Sequence, residues 1–266
     1  MSSMIKLSRV LSLMLCVTTV SQAANIVFVT DFEATADADF ITALSNAGHT
    51  LTSTNERYRS LDSTKIAELN AADLVLVSRN TSSGSYADNS AEIAQWDAVT
   101  TTVWLGNSYL ARSNRWNWVS STTITAPYFS DVTAQNAGAA AHPLYDGLTS
   151  AGTGAFGETK YGFTDDTDLT SGSDNLAGSG TVLGVRNNAS NQHIIAAEFA
   201  SGSTTGSGNT LAGDRFYFAL PEDYSDNNSN GLQMIDNIID YTAVPEPSSV
   251  ALLLLGAGGC FIRRRR

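Results

Sequence analysis

The chain has 266 residues, 26 of them acidic and 15 basic, for a formal net charge of −11. Its two ends hold both cysteines (Cys16, Cys260), six basic residues and only one acidic residue, Glu246, leaving a body of 9 basic against 25 acidic residues. Such a body repels nucleic acid and anionic lipid, suits soluble secretion, and excludes a disulfide framework, a cysteine zinc site and a thiol nucleophile.

Residues 1–23 read as a secretory signal peptide for the Sec translocon. Lys6 and Arg9 form a short positive region, and Val10 to Val20 is apolar but short for a membrane span. Ser21-Gln22-Ala23 supplies small residues at −3 and −1, placing cleavage after Ala23. The body, residues 24–243, opens on the apolar run Asn25 to Thr30, a buried strand ending at Asp31. Asp37 to Ala47 has helical spacing and stops at Gly48, and Thr50 to Thr54 suits a short second strand. Ser63 to Leu69 reads as a helix with Ser63 as its N-cap. Asp73 to Ser78 is a buried strand, Ala91 to Val99 a helix, and Thr101 to Leu105 another buried strand.

Residues 107–180 are rich in Ser, Thr, Gly, Ala and Asn and read as an irregular insertion of loops and short strands. Thr181 to Val185 and Gln192 to Phe199 read as a hairpin-like pair around Asn187 to Ser190. Arg215 to Leu220 is a further buried strand, and Leu232 to Tyr241 an amphipathic closing helix. Strands alternating with helices predict an α/β domain with a mostly parallel sheet and helices on both faces.

Residues 244–266 form a tripartite tail. Pro245-Glu246-Pro247 is a rigid break, Val250 to Ile262 an apolar run, and Arg263, Arg264, Arg265 and Arg266 a basic stop for the cytoplasmic side. The run is shorter than the ~20 residues of a stable transmembrane helix and suits a transient inner-membrane anchor. This tail resembles the PEP-CTERM sorting domain. The resemblance implies processing by an exosortase and delivery to the cell envelope, cell surface or extracellular matrix, and makes exopolysaccharide a candidate partner.

Three stretches of the body resemble the class I glutamine amidotransferase-like superfamily, including its trehalose-utilisation-type domains. They are Val77-Ser78-Arg79-Asn80 with the following Ser82-to-Tyr86 loop, His142-Pro143-Leu144-Tyr145-Asp146-Gly147-Leu148, and Phe216 to Pro221. The resemblance implies a flavodoxin-like fold. It also places Ser108, in Gly106-Asn107-Ser108-Tyr109-Leu110, where the family carries its cysteine nucleophile. Amidotransferase chemistry needs the thiol that the body lacks. A serine hydrolase would need a base, for which His142 and His193 are candidates, with His49 near the end of the first helix.

Other residues point elsewhere. Asp226, Asn228 and Asn230, with Gly231 at the sixth position, match the start of a calcium loop, but the twelfth position is Asn237 rather than a bidentate acid. Asp165, Asp166 and Asp168 form a second acidic loop. Tyr109, Trp116, Trp118, Tyr128 and Phe129 either stack on sugars at the sheet's carboxyl rim or pack a small core within the insertion. Three readings follow: a non-enzymatic carbohydrate-binding surface protein without a cofactor, a Ser108 hydrolase, and a calcium-stabilised matrix component.

Overall fold

The computed structural model describes residues 23–125, 131–134, 137–154, 157–164, 169–170, 175–187 and 192–243. The predicted signal peptide up to Gln22, the sorting segment 244–266, Tyr128, Phe129, Asp165, Asp166 and Asp168 lie outside these residues.

The first part of the body alternates as expected: β1 (Asn25–Val29), α1 (Ala38–Asn46), β2 (Thr50–Ser53), α2 (Ser63–Asn70), β3 (Leu74–Val77), α3 (Ser90–Asp97) and β4 (Val103–Leu105). A short α4 (Ser108–Ala111) follows, then β5 (Ile124–Thr125), β6 (Asp131–Ala134), α5 (Ala137–Ala140), β7 (Gly152–Thr153), β8 (Thr159–Gly162) and β9 (Leu169–Thr170). The chain closes with β10 (Thr181–Asn187), β11 (Gln192–Phe199), β12 (Arg215–Phe218) and α6 (Ser229–Ala243).

Ten strands join in one sheet, ordered β2-β1-β3-β4-β12-β11-β10-β6-β8-β7. From β2 to β12 every pairing is parallel, in the neighbour order of a doubly wound sheet. From β12 to β7 every pairing is antiparallel. The sheet is therefore mixed, not mostly parallel. Two things cause the departure. The predicted β10–β11 hairpin forms and docks on β12, where it turns the sheet antiparallel. The segment 107–180, expected as a rim insertion, supplies β6, β7 and β8, which extend the same sheet. Those strands are two to four residues long and rich in Thr and Gly, too short and too polar for periodicity to place them.

Successive strand residues point to opposite faces. Phe28, Trp104, Phe216 and Phe218 lie on one face. There Phe40 of α1 packs edge-on against Phe28 at 5.4 Å, and Tyr241 of α6 lies 6.1 Å from Phe216. On the other face Trp96 of α3 leads through Trp116 and Trp118 to Phe199, with ring centroids 4.9, 5.6 and 5.6 Å apart. Helices thus cover both faces, as predicted.

Capping differs in detail. Asp62, not Ser63, caps α2, its Oδ1 accepting from Lys65 N at 2.9 Å. Asn228 caps α6, its Oδ1 accepting from Asn230 N at 2.9 Å and Gly231 N at 3.1 Å.

Candidate functional site

In an open α/β sheet the carboxyl rim beside the point where strand order reverses is the usual place for a ligand. Here that point lies between β1 and β3, and polar side chains gather there. Asp37 is buried just ahead of α1. Its Oδ1 accepts from Ser78 Oγ at 2.7 Å and Asn80 Nδ2 at 3.0 Å, and its Oδ2 accepts from Thr30 Oγ1. Burial pushes the Asp37 carboxyl above its ordinary range, against these hydrogen bonds. Asp31 at the end of β1 is equally occupied. It accepts from Arg59 Nε at 3.1 Å, Tyr86 OH at 2.8 Å and Ser82 N at 2.7 Å. Desolvation, then the Asp31 carboxylate, drives the Tyr86 hydroxyl far above its usual range. These groups tie the loops after β1 and β3 together.

Ser108, the nucleophile candidate, follows β4 but is fully buried. Its Oγ accepts from Tyr217 OH at 3.0 Å. The residue before it, Asn107, holds the turn. Asn107 Nδ2 donates to Arg79 O, Thr81 O and Thr81 Oγ1 at 2.8 to 2.9 Å, and its Oδ1 caps α4 by accepting from Tyr109 N at 2.8 Å.

The structure does not bring His142 to Ser108. His142 packs against Phe216 and Tyr241, with ring centroids 6.1 and 4.6 Å away. Tyr217, which reaches Ser108, is the next residue of β12 and points to the opposite face. A base at His142 is therefore across the sheet from the hydroxyl. His142 Nδ1 instead accepts from Leu144 N at 3.0 Å, closing the 3-10 turn Pro143–Tyr145. His193 is buried on β11 opposite Arg186 of β10. His49 accepts from Ala24 N through Nδ1 at 3.3 Å, at the amino end of β1.

Trp116 and Trp118 are 2% and 1% exposed and pack against Trp96 and Phe199, which places them in the main core on that face of the sheet, neither on a sugar-stacking surface nor in a separate core of the insertion. Tyr109 differs. It is half-buried at the rim, with the Arg79 and Arg112 guanidinium carbons 4.7 and 5.3 Å from its ring centroid. Sequence reading missed both arginines, because single Arg residues in polar loops carry no spacing signal.

At the opposite, amino edge of the sheet lies a cavity of 660 Å³. It is bounded by the approaches to β3 and β4 (Asp73, Thr101), by Glu198 and Arg215, and by Tyr241 and Ala243 at the end of α6. Arg215 Nη2 donates to the carbonyls of Trp96, Asp97 and Val99 at 3.1, 3.1 and 2.7 Å, where a cation suits the carboxyl end of α3. Burial pushes its pKa down to about 10. Glu198 Oε2 lies 3.5 Å from His142 Nε2 and accepts from Tyr241 OH at 3.0 Å. The His142 contact is the larger of the two in holding the Glu198 carboxyl below its ordinary range.

The predicted calcium loop is built as a helix start. Asn228 is the cap. Asn230 clasps Thr149, accepting from its N at 3.1 Å and donating to its O at 2.9 Å. Asn237 Nδ2 donates to Leu144 O and Asp146 O at 3.1 and 2.9 Å. Asp226 ends a 3-10 turn, and its carbonyl accepts from Thr164 Oγ1 at 3.2 Å. Gly231 is needed for close packing, since a Cβ there would lie 2.1 Å from Phe163 O. Among the described residues no three His, Cys, Asp or Glu side chains gather as a metal-binding group.

Residues 243–266 match the PEP-CTERM protein-sorting motif. The motif implies an exported protein that is processed at the membrane by an exosortase. No curated protein matches the chain, so comparison lends no support to the glutamine amidotransferase-like resemblance of the body. Among the described residues no helix is long and apolar enough to cross a membrane, and the apolar run Val250 to Ile262 lies outside them.

Proposed function

We propose that the protein is a non-enzymatic binding module of the cell envelope or extracellular matrix that presents its carboxyl rim to carbohydrate. The observation that carries this reading is that both ends of the body leave from one edge of the sheet. Asn25 starts β1 beside Asp73, its N donating to Asp73 Oδ2 at 2.8 Å. Ala243 ends α6 against the same approach to β3. The sorting segment follows directly, so the amino edge faces the membrane during processing and the carboxyl rim faces away. The burial of Ser108 and its separation from His142, one of the two candidate bases, support a binding role over hydrolysis. The parallel half, with its doubly wound order, serves in this reading as a flavodoxin-like scaffold carrying no catalytic group and no cofactor.

The cysteine-free body makes the orientation testable in intact producing cells. A membrane-impermeant maleimide should label Ser83→Cys at the rim well above the background of the parent chain. Thr242→Cys, at the amino edge, should react only after lysis. Labelled Ser83→Cys protein should also lose binding to the producer's own polysaccharide, whereas labelled Thr242→Cys protein should keep it. Preferential labelling of Thr242→Cys in intact cells, or no glycan binding by the parent, would sink the reading.

A further inference from the structure

The rim holds a charge arrangement that the rest of this acidic body does not explain. Arg112 and Arg115 sit three residues apart in the turn after α4, with Arg115 N donating to Arg112 O at 2.9 Å. Both are partly buried. Among the described residues Arg57, Arg59, Arg79, His142 and Lys160 lie within 4.0 Å of carboxylates. Neither Arg112 nor Arg115 has a carboxylate within 4.0 Å among the described residues, in a body with 25 acidic and 9 basic residues.

Their contacts are neutral ones that leave donors over. Arg112 Nε donates to Tyr109 O at 2.9 Å, and its two terminal nitrogens reach only Ser83 Oγ at 3.3 Å and Thr122 O at 3.5 Å. Arg115 Nη1 donates to Asn114 O at 2.9 Å, while its Nε is buried without a partner. Burial first, then the charge of Arg115, lowers the affinity of Arg112 for its proton. Two cations three residues apart and partly out of water, with no carboxylate within 4.0 Å among the described residues, are costly unless an anion joins them. The Tyr109 ring helps hold the Arg112 fork in place.

We propose that Arg112 and Arg115, with the Ser83 hydroxyl, form a shelf that binds the carboxylates of an acidic polysaccharide. A planar guanidinium matches a carboxylate with two parallel hydrogen bonds. The shelf is only two charges wide on an anionic body. Any linear polyanion meets repulsion beyond it, so only one or two consecutive charges engage the shelf at a time. A polyuronate places one carboxylate per sugar and lays neutral hydroxyls over the flanking Ser82, Ser85, Ser121 and Thr123. The assignment rests on the proposed display of the rim to carbohydrate and names the glycan class.

The full chain, purified in mild detergent, is titrated with polygalacturonate, with neutral dextran and with single-stranded DNA. The expected result is polygalacturonate binding that weakens with salt and exceeds binding to the other two polymers. The double variant Arg112→Gln/Arg115→Gln should lose at least about ten-fold in affinity, as removal of charge-assisted hydrogen bonds predicts. A charge-matched control, Arg57→Gln/Lys65→Gln, should bind like the parent. The milder Arg112→Lys, which keeps the charge but not the fork, should fall between, and it provides the reading should the double variant not fold. Unchanged binding by the double variant, an equal loss in the control, or DNA bound as tightly as polygalacturonate would overturn the shelf. Dextran bound in preference to polygalacturonate would overturn the shelf and leave the carbohydrate reading standing, whereas binding of neither glycan would remove both.

Discussion

The parallel and antiparallel halves of the sheet are built from different material. In β3, β4 and β12 every residue is buried, and the strands read Leu-Val-Leu-Val, Val-Trp-Leu and Arg-Phe-Tyr-Phe. At the far edge, β7 is Gly-Thr with both residues exposed, and β8 is Thr-Lys-Tyr-Gly with only Tyr161 buried. A strand covered by helices on both faces must be apolar throughout, whereas an edge strand needs only a few anchors. The contrast is therefore between the buried centre of the sheet, which runs on into β11 and β6, and its far edge at β7 and β8.

Truncation of a core side chain in each half should separate them most. Trp104 is fully buried, with Phe40 6.4 Å away across its face of the sheet. Trp104→Ala should cost about 3–5 kcal/mol. Tyr161, stacked 4.9 Å from Tyr145, should cost less than about half of that on replacement by Ala, because its strand is open to solvent on one side. Urea denaturation measures both, and equal losses would show the two halves to be equally well packed.

A smaller effect distinguishes two carboxyls by the sign of their pH dependence. Asp37, in the parallel half, has a folded pKa raised above its ordinary 3.8 by burial. The folded state then holds its proton more tightly than the unfolded state does. Its contribution to stability is full below pH 3.8 and falls as pH rises through the elevated folded value. Glu198, on β11, has a folded pKa below its ordinary 4.5. Its contribution is present above pH 4.5 and is lost as pH falls through the lowered value. Asp37→Asn should remove a decline of stability on the alkaline side of pH 3.8, and Glu198→Gln a decline on the acid side of pH 4.5. Denaturation midpoints across this range check both signs, and slopes of the same sign would contradict the assignment.

The smallest effect concerns calcium. With Asn228 and Asn230 engaged in capping and clasping at the start of α6, a chelator should leave the melting temperature of the full chain unchanged. A drop of several degrees would restore the calcium-stabilised reading and show that the Asp226 loop opens to bind the ion.

The parallel half was legible in the sequence because long apolar runs bounded by helical periodicity leave few alternatives. The β10–β11 hairpin was legible too, although its docking on β12 was not. Short strands were expected within residues 107–180, but neither their positions nor their joining the main sheet was legible, since runs of two to four residues rich in Thr and Gly carry no period. At the rim, Tyr109 and Ser108 drew notice by residue type and position. Ser108 accepts from Tyr217, 109 residues away, and no local pattern encodes such a contact. His142 looked available as a base until strand alternation put it on the other face.

By itself the sequence determined the sorting segment, the acidic and thiol-free body, and the apolar strands that had to be buried. These are local or compositional properties, set by which residues water rejects and by short contiguous motifs. Tertiary structure alone decided that the sheet turns antiparallel after β12, that Ser108 and His142 lie on opposite faces, and that Arg112 and Arg115 have no carboxylate within 4.0 Å among the described residues. Each of these depends on which segments become neighbours, and the free energy that selects neighbours comes from packing across the whole core.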